Sequence, residues 1–283
     1  MMNNLNSDSL PRMCATCGTQ YPSATQEECL ICLDERAAVP PTGQAWTTLD
    51  QVRKNHRNEV IPFENDPRLH SVVSKPPFAI GQRGIVIQTP KGNVMWDCIT
   101  LIDEETRVNI NKLGGLKAII ISHPHFYNSM VEWSKTFGGI PVYIHKADEE
   151  WIMNPHECLN VWDGETLDIL DGELKIVRCG GHFDGSCVLQ WGKKLFTGDT
   201  IQVIPDRDFV SFMRAYPNLI PMEPEAIAQI WRSVKPLDFE EIYGGWLGQS
   251  IFKNGKEIVL KSAKRYVRAE GYIGHSIETE SLP

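Results

Sequence analysis

The sequence predicts an α/β (α+β) protein: two sheets covered by helices, preceded by a small four-cysteine metal ribbon. Three observations lead there. Short runs of branched and aromatic residues alternate with stretches of helical spacing from residue 79 onward. Four cysteines near the start are spaced Cys14-x2-Cys17-x11-Cys29-x2-Cys32. An apolar run, Leu116 to Ile121, leads directly into His123-Pro124-His125-Phe126-Tyr127. The chain has 283 residues, long enough to bury a large core, and its length fits one or two domains.

Taken in order, residues 1–40 read as the ribbon. Each Cys-x-x-Cys forms a tight knuckle that offers two thiolates on one side, and two knuckles complete a tetrahedral shell. So short a segment cannot bury enough surface to fold alone, so a bound ion contributes much of its stability, on the order of 10 kcal/mol for structural zinc. Zinc is the expected metal; iron is the alternative, because the Cys-x-x-Cys-Gly start also resembles rubredoxin-like modules that carry one electron. Cys98, Cys158, Cys179 and Cys187 lack such pairing and read as small buried residues.

Residues 41–78 mix charge and proline without a clear period and read as a linker holding a short helix and some extended chain. The main domain is expected over 79–283. A hairpin is predicted from strands Arg83 to Gln88 and Asn93 to Cys98 around Pro90-Lys91-Gly92. Leu116 to Ile121 reads as a buried strand, and helical spacing is expected at Asn111 to Gly114, Asn128 to Phe137 and Ala147 to Met153. Further strands are predicted at Ile140 to His145, Leu174 to Cys179, Ser186 to Trp191 and Lys194 to Thr197, then helices at Glu223 to Val234 and Lys256 to Ala269.

The balance of 28 basic against 36 acidic residues gives a net charge of -8, which offers no general attraction for nucleic acid or anionic lipid. Met1 to Arg12 is polar, and no run approaches the ~20 apolar residues of a membrane span, so a cytoplasmic protein acting on a small molecule is expected.

His123 and His125 at the mouth of a strand, with His182 in Gly180-Gly181-His182 and Asp199 in Gly198-Asp199, are residues that hold a divalent metal and leave a position open. Their order resembles the metallo-β-lactamase superfamily, whose signature is His-x-His-x-Asp-His, then a Gly-His loop, then Gly-Asp, then a late Gly-His. Here Tyr127 and Asn128 stand at the signature's Asp and the His that follows it, and Gly245-Trp246 at the late Gly-His. Asp97 matches the family's Asp after the second strand, and the resemblance covers roughly residues 80–250. It implies a four-layer αβ/βα sandwich, one complete metal site of His123, His125, His182 and Asp199, and a second site abolished. The implied metal is zinc, with iron or manganese as alternatives.

Three neutral ligands preserve the metal's charge and lower the pKa of bound water to about 7, giving a hydroxide that attacks a carbonyl. The expected activity is hydrolysis of an ester, thioester or amide of a small metabolite. Asp199 would act as a fourth ligand or as acceptor of the water's proton, and Tyr127 would donate to the oxyanion or simply fill the vacated cavity. Asn128 reads as the cap of the helix after it. In Val210 to Asn218, Arg214 and Tyr216 are candidates to hold an anionic substrate. His56, His70, His156 and His275 read as structural, and His145 as structural or supporting. Two further readings stand: a mononuclear-iron redox enzyme like the persulfide dioxygenases, and a non-catalytic scaffold in which both metals are structural. The third imidazole argues against the redox reading, since it fills a position that oxygen chemistry needs.

Overall fold

The computed structural model describes residues 11–283, so most of the polar stretch read over Met1 to Arg12 lies outside the described residues. The chain divides into two compact units: Met1–Tyr143 with Glu150–Asn160, and Ile144–Glu149 with Val161–Pro283.

In the first unit, the cysteine segment forms a three-stranded antiparallel sheet, with Arg12–Cys14 between Gln20–Tyr21 and Trp46–Thr47. A one-turn helix, Leu30–Leu33, starts straight after Cys29. A seven-stranded sheet follows, in the order Leu159–Trp162, Val142–His145, Ala118–Ile120, Gly92–Trp96, Gly84–Thr89, Leu69–Lys75 and Arg57–Pro62. Gly92–Trp96 and Ala118–Ile120 pair in parallel, as do Ala118–Ile120 and Val142–His145. Every residue of Ala118–Ile120 is buried, as suits a parallel strand covered on both faces, and this is why the sequence there is a continuous apolar run.

The expected linker is where sequence and structure part. Within residues 41–78, Thr48 caps the helix Leu49–Asn55 through a capping box, and Arg57–Pro62 and Leu69–Lys75 are the outer strands of the seven-stranded sheet. The helix expected at Asn111 to Gly114 starts earlier, as Glu104–Lys112, because Asp103 caps it by accepting from the Thr106 amide at 2.8 Å.

The second unit carries a six-stranded sheet in the order Thr166–Ile169, Leu174–Arg178, Cys187–Trp191, Lys194–Gly198, Glu241–Gly244 and Ser250–Ile251. All pairs are antiparallel except Lys194–Gly198 with Glu241–Gly244. Helices Pro224–Val234 and Gly255–Ala269 supply one apolar stripe each to a single core, where Trp231, Ile227 and Val259 meet Val188, Leu195 and Ile242 of the sheet. No helix among the described residues is long and apolar enough to cross a membrane.

Candidate metal centres

The four predicted cysteines converge. Their sulfurs lie within 4.8 Å of one another, with Cys14 Sγ 3.6 Å from Cys32 Sγ and Cys17 Sγ 3.5 Å from Cys29 Sγ. A tetrahedron with metal–sulfur bonds of ~2.3 Å has an edge of ~3.8 Å, so the spacing fits a tetrathiolate ion. The Tyr21 hydroxyl donates to Cys29 Sγ at 3.4 Å and itself accepts from the Leu30 amide at 2.8 Å. Hydrogen bonding among the four sulfurs pulls the Cys14 and Cys29 thiols down and, from the Cys14 sulfur first, pushes those of Cys17 and Cys32 up; four thiolates together at this spacing would call for a cation among them. Just beyond Cys32, burial alone would raise the Asp34 carboxyl, but Arg36 and the nearby His125 hold it below its usual range. Arg36 is itself buried, its guanidinium 5.3 Å from the Trp151 ring centroid.

The histidine turn is built by the end of the Ala118–Ile120 strand. The Asp97 amide donates to the Ile120 carbonyl at 2.8 Å, and Asp97 Oδ1 accepts from the Ser122 amide at 2.7 Å. The chain stays extended through His123 (φ -169°) and Pro124 then starts the single 3-10 turn Pro124–Phe126, which sets the His123 and His125 rings edge to face, 5.3 Å between centroids. Ser122 Oγ lies 2.8 Å from His123 Nδ1, which leaves Nε2 as the ligand nitrogen.

His182 and Asp199 come from the second unit. Gly181, with φ +88°, lets the loop pass against the Pro224–Val234 helix, since a Cβ there would stand 2.7 Å from Ile230 Cδ1. His182 Nδ1 donates to the Met213 carbonyl at 3.0 Å; a carbonyl only accepts, so the tautomer is fixed and Nε2 carries the lone pair. That Nε2 lies 3.8 Å from Asp199 Oδ2. His123, His182 and Asp199 are buried, and His125 is partly exposed.

His123, His125, His182 and Asp199 form one candidate group, each offering a ligand atom within 4.8 Å of the others. Three imidazoles and a carboxylate at this spacing suit zinc, and equally a borderline ion such as iron.

Tyr216 is tied into this region differently from the expectation. Its hydroxyl lies 2.9 Å from the Ser211 carbonyl and 3.1 Å from that of Asp199, so its one proton is engaged with main chain beside the carboxylate rather than offered to a substrate. Burial first, and then the Asp199 charge, push this phenol well up. Arg214 is half-buried in the short strand Met213–Ala215. Tyr127 is 2% exposed and closes the histidine turn by its amide. Trp246 lies half-buried in the turn after Glu241–Gly244.

Asn128 corrects the sequence reading. Ser129, not Asn128, stands at the start of the helix Met130–Thr136, and it makes no side-chain cap. Asn128 instead takes φ +38° and spends its side chain on Thr100 and on the His125 carbonyl.

The remaining histidines serve local structure. His145 Nε2 donates to the Gly164 carbonyl at 2.9 Å while Nδ1 accepts from the Ala147 amide. His156 and His275 accept from amides two residues on, His56 Nδ1 meets the Pro76 carbonyl, and His70 is buried within a strand. Cys98, Cys158, Cys179 and Cys187 are buried and form no disulfide. Sequence reasoning missed Ser122 and the Met213 carbonyl as the groups that orient the histidines. Ser122, next to His123, carried a signal; a main-chain carbonyl carries none.

This fold and these ligand groups define a metal-binding protein of the metallo-β-lactamase fold. Among solved structures, the DIM-1 metallo-β-lactamase matches with a TM-score of 0.56 at 14% identity, covering 76% of this chain and 98% of that one. The FIM-1 metallo-β-lactamase of Pseudomonas aeruginosa, in a mono-zinc form, matches with a TM-score of 0.54 at 13% identity over 74% and 95%. No family model matches the chain. The chain belongs to the same family as the "uncharacterized protein YmaE" of Bacillus subtilis, to which it is 43% identical over 265 residues, 91% of this chain and 96% of that protein.

Proposed function

We propose that the chain is a hydrolase with a mononuclear site of His123, His125, His182 and Asp199, acting on an ester, thioester or amide of a small metabolite. The observation that carries the reading is the convergence of three imidazoles and a carboxylate, with partners at the Nδ1 atoms of His123 and His182 that aim Nε2 inward. A divalent ion held there supplies hydroxide at neutral pH by lowering the pKa of bound water to about 7.

The chain's own groups do the rest. The Met213 carbonyl holds His182 in its working tautomer, Ser122 holds the His123 ring by its Nδ1, and burial of His123, His182 and Asp199 excludes bulk water. Asp199 either completes the ligand set or accepts the proton of the attacking water. Tyr127 is the proposed donor to the developing oxyanion, and Arg214 the proposed clamp for an anionic part of the substrate. A single-metal state is one this fold accommodates, as in the mono-zinc form of FIM-1.

Zinc is the proposed ion in both groups, with iron or manganese in the histidine group and iron in the ribbon as alternatives. A small-molecule partner rather than nucleic acid accords with the net charge of -8, and the proposed setting is cytoplasmic.

The test is metal identity and stoichiometry per chain for the wild type and for His123→Ala/His182→Ala, with hydrolysis of simple esters and thioesters at pH 7 alongside. Two zinc ions falling to one, with loss of any hydrolysis, supports the reading. An unchanged single metal sinks it and leaves a scaffold. Iron in the histidine group, with no hydrolysis, turns it to redox chemistry.

A further inference from the structure

The first cysteine knuckle runs directly into the residues that shape the histidine turn. Gly18 follows Cys17 with φ +83°, and a Cβ there would overlap Thr100 Oγ1 and Asn128 Oδ1, so only glycine permits this approach. The Gly18 carbonyl lies 3.3 Å from Thr100 Oγ1, and the Gln20 amide donates to the Asn128 carbonyl at 3.0 Å. Thr100 Oγ1 donates to Asn128 Oδ1 at 2.8 Å. Asn128 then passes the contact on, its Nδ2 donating to the His125 carbonyl at 3.1 Å. Thr100, Asn128 and Gln20 are all buried.

Two features make this more than packing. The knuckle's own shape is set at the cysteines: the Gly18 amide donates to the Cys14 carbonyl at 2.8 Å and the Cys14 amide to the Thr19 carbonyl at 2.9 Å. Asn128 holds a left-handed backbone (φ +38°), a conformation that persists when surrounding bonds fix it, and those bonds come from Thr100, His125 and Gln20. The position where the resembled signature has a second-metal histidine is here the anchor of the ribbon.

We propose that the loaded ribbon is the platform that positions His125, with Gly18, Thr100 and Asn128 as positioning residues, so that the two metal groups bind their ions cooperatively. Release of the ion from the cysteines lets the knuckle relax, frees Asn128 from Gln20 and Thr100, and lets the His125 turn drift. Coupling of this kind is reciprocal: an ion in the histidine group also raises the affinity of the cysteines for theirs, by the same factor. The inference rests on the histidine group being a metal site.

The test uses the full chain with cobalt(II), whose absorption distinguishes a tetrathiolate from an imidazole site, and a competing chelator to measure affinity at each. Thr100→Val and Gly18→Ala are compared with wild type, with Thr100→Ser as the variant that restores the hydroxyl. The expected result is an unchanged thiolate spectrum in Thr100→Val with histidine-site affinity lowered about 10- to 100-fold, the range seen when groups that orient ligands are removed. Thr100→Ser recovers most of that loss. In the wild type alone, the cysteines hold cobalt against the chelator more tightly when the histidine group is filled. Unchanged histidine-site affinity in both Thr100→Val and Gly18→Ala, or a cysteine-site affinity indifferent to the second ion, overturns the coupling. A wild type that binds one cobalt with a pure thiolate spectrum overturns the hydrolase reading, a different outcome from a filled but uncoupled site.

Discussion

The ribbon and the six-stranded unit build their interiors by opposite means. The buried cluster of the ribbon is Cys14, Cys17, Tyr21, Cys29, Ile31 and Cys32, so its centre is made of ligands rather than hydrocarbon. The corresponding cluster of the second unit is aliphatic and aromatic, with Cys179 its single cysteine. Metal affinity is therefore folding energy in the ribbon, while the core of the second unit is apolar and closes without a metal. The metal groups differ in the same sense: four sulfurs that close a tetrahedron, against three imidazoles and a carboxylate that leave room for a further ligand.

The largest effect expected from this contrast is in the ribbon. Cys29→Ser, or a strong chelator, removes a contribution on the order of 10 kcal/mol, more than the segment's small core replaces. Hydrogen exchange reads it locally: the Cys14 and Gly18 amides lose protection, while the amides of Lys194–Gly198 keep theirs. Protected ribbon amides after full metal removal would mean that packing, not metal, holds the segment.

Trp231→Ala makes the reverse experiment. Trp231 is fully buried among Ile227, Val234 and the sheet, and its removal costs about 3–5 kcal/mol, seen as a lower denaturation midpoint. Metal content at the ribbon stays at one ion. A variant that loses the ribbon ion as well would deny the two units their separate means of stability.

A smaller effect separates ligand orientation from ligand presence. Ser122→Ala leaves every metal ligand in place and removes only the partner of His123 Nδ1 at 2.8 Å. Affinity at the histidine group falls about 10- to 100-fold, with the fold intact. An unchanged affinity would show that the turn at Pro124, and not the serine, fixes the ring.

How much of this was legible follows the same divide. The ribbon was readable because ligands declare themselves by residue type and spacing, and the histidine turn because a continuous apolar run, Ala118–Ile120, leads into it. The hairpin of Arg57–Pro62 and Leu69–Lys75 was not. Arg57–Pro62 is the sheet's outer strand and is mostly exposed or half-buried, so it lacks an apolar face. Leu69–Lys75 is buried but carries His70 and Ser71 inside, where Ser71 Oγ accepts from buried Arg83 at 3.2 Å and Arg83 stacks over Phe63 at 5.0 Å. A strand with polar side chains among its interior positions shows no period to a hydrophobic reading. Asn128 escaped for a related reason: its partners at Thr100, His125 and Gln20 span more than a hundred residues of chain, and no local pattern announces them.

The smallest effect tests a polar group that the second unit does bury. Burial, chiefly, holds the His145 imidazole below its ordinary pKa, despite the hydrogen bond to Gly164. Its Nδ1 accepts from the Ala147 amide, so a proton there would face an N–H. In the unfolded chain the ring titrates near its ordinary value of about 6.5 and binds protons first as pH falls. Between that value and the lower folded one, the unfolded state holds more protons, so stability is full above about pH 6.5 and declines as pH falls through the window. Each unit of displacement is worth about 1.4 kcal/mol. His145→Gln, which retains a donor for Gly164 but does not titrate, should flatten this part of the pH–stability curve measured by denaturant unfolding. A slope that survives the substitution would point to His70, another imidazole that burial lowers, and His70→Gln would then remove it.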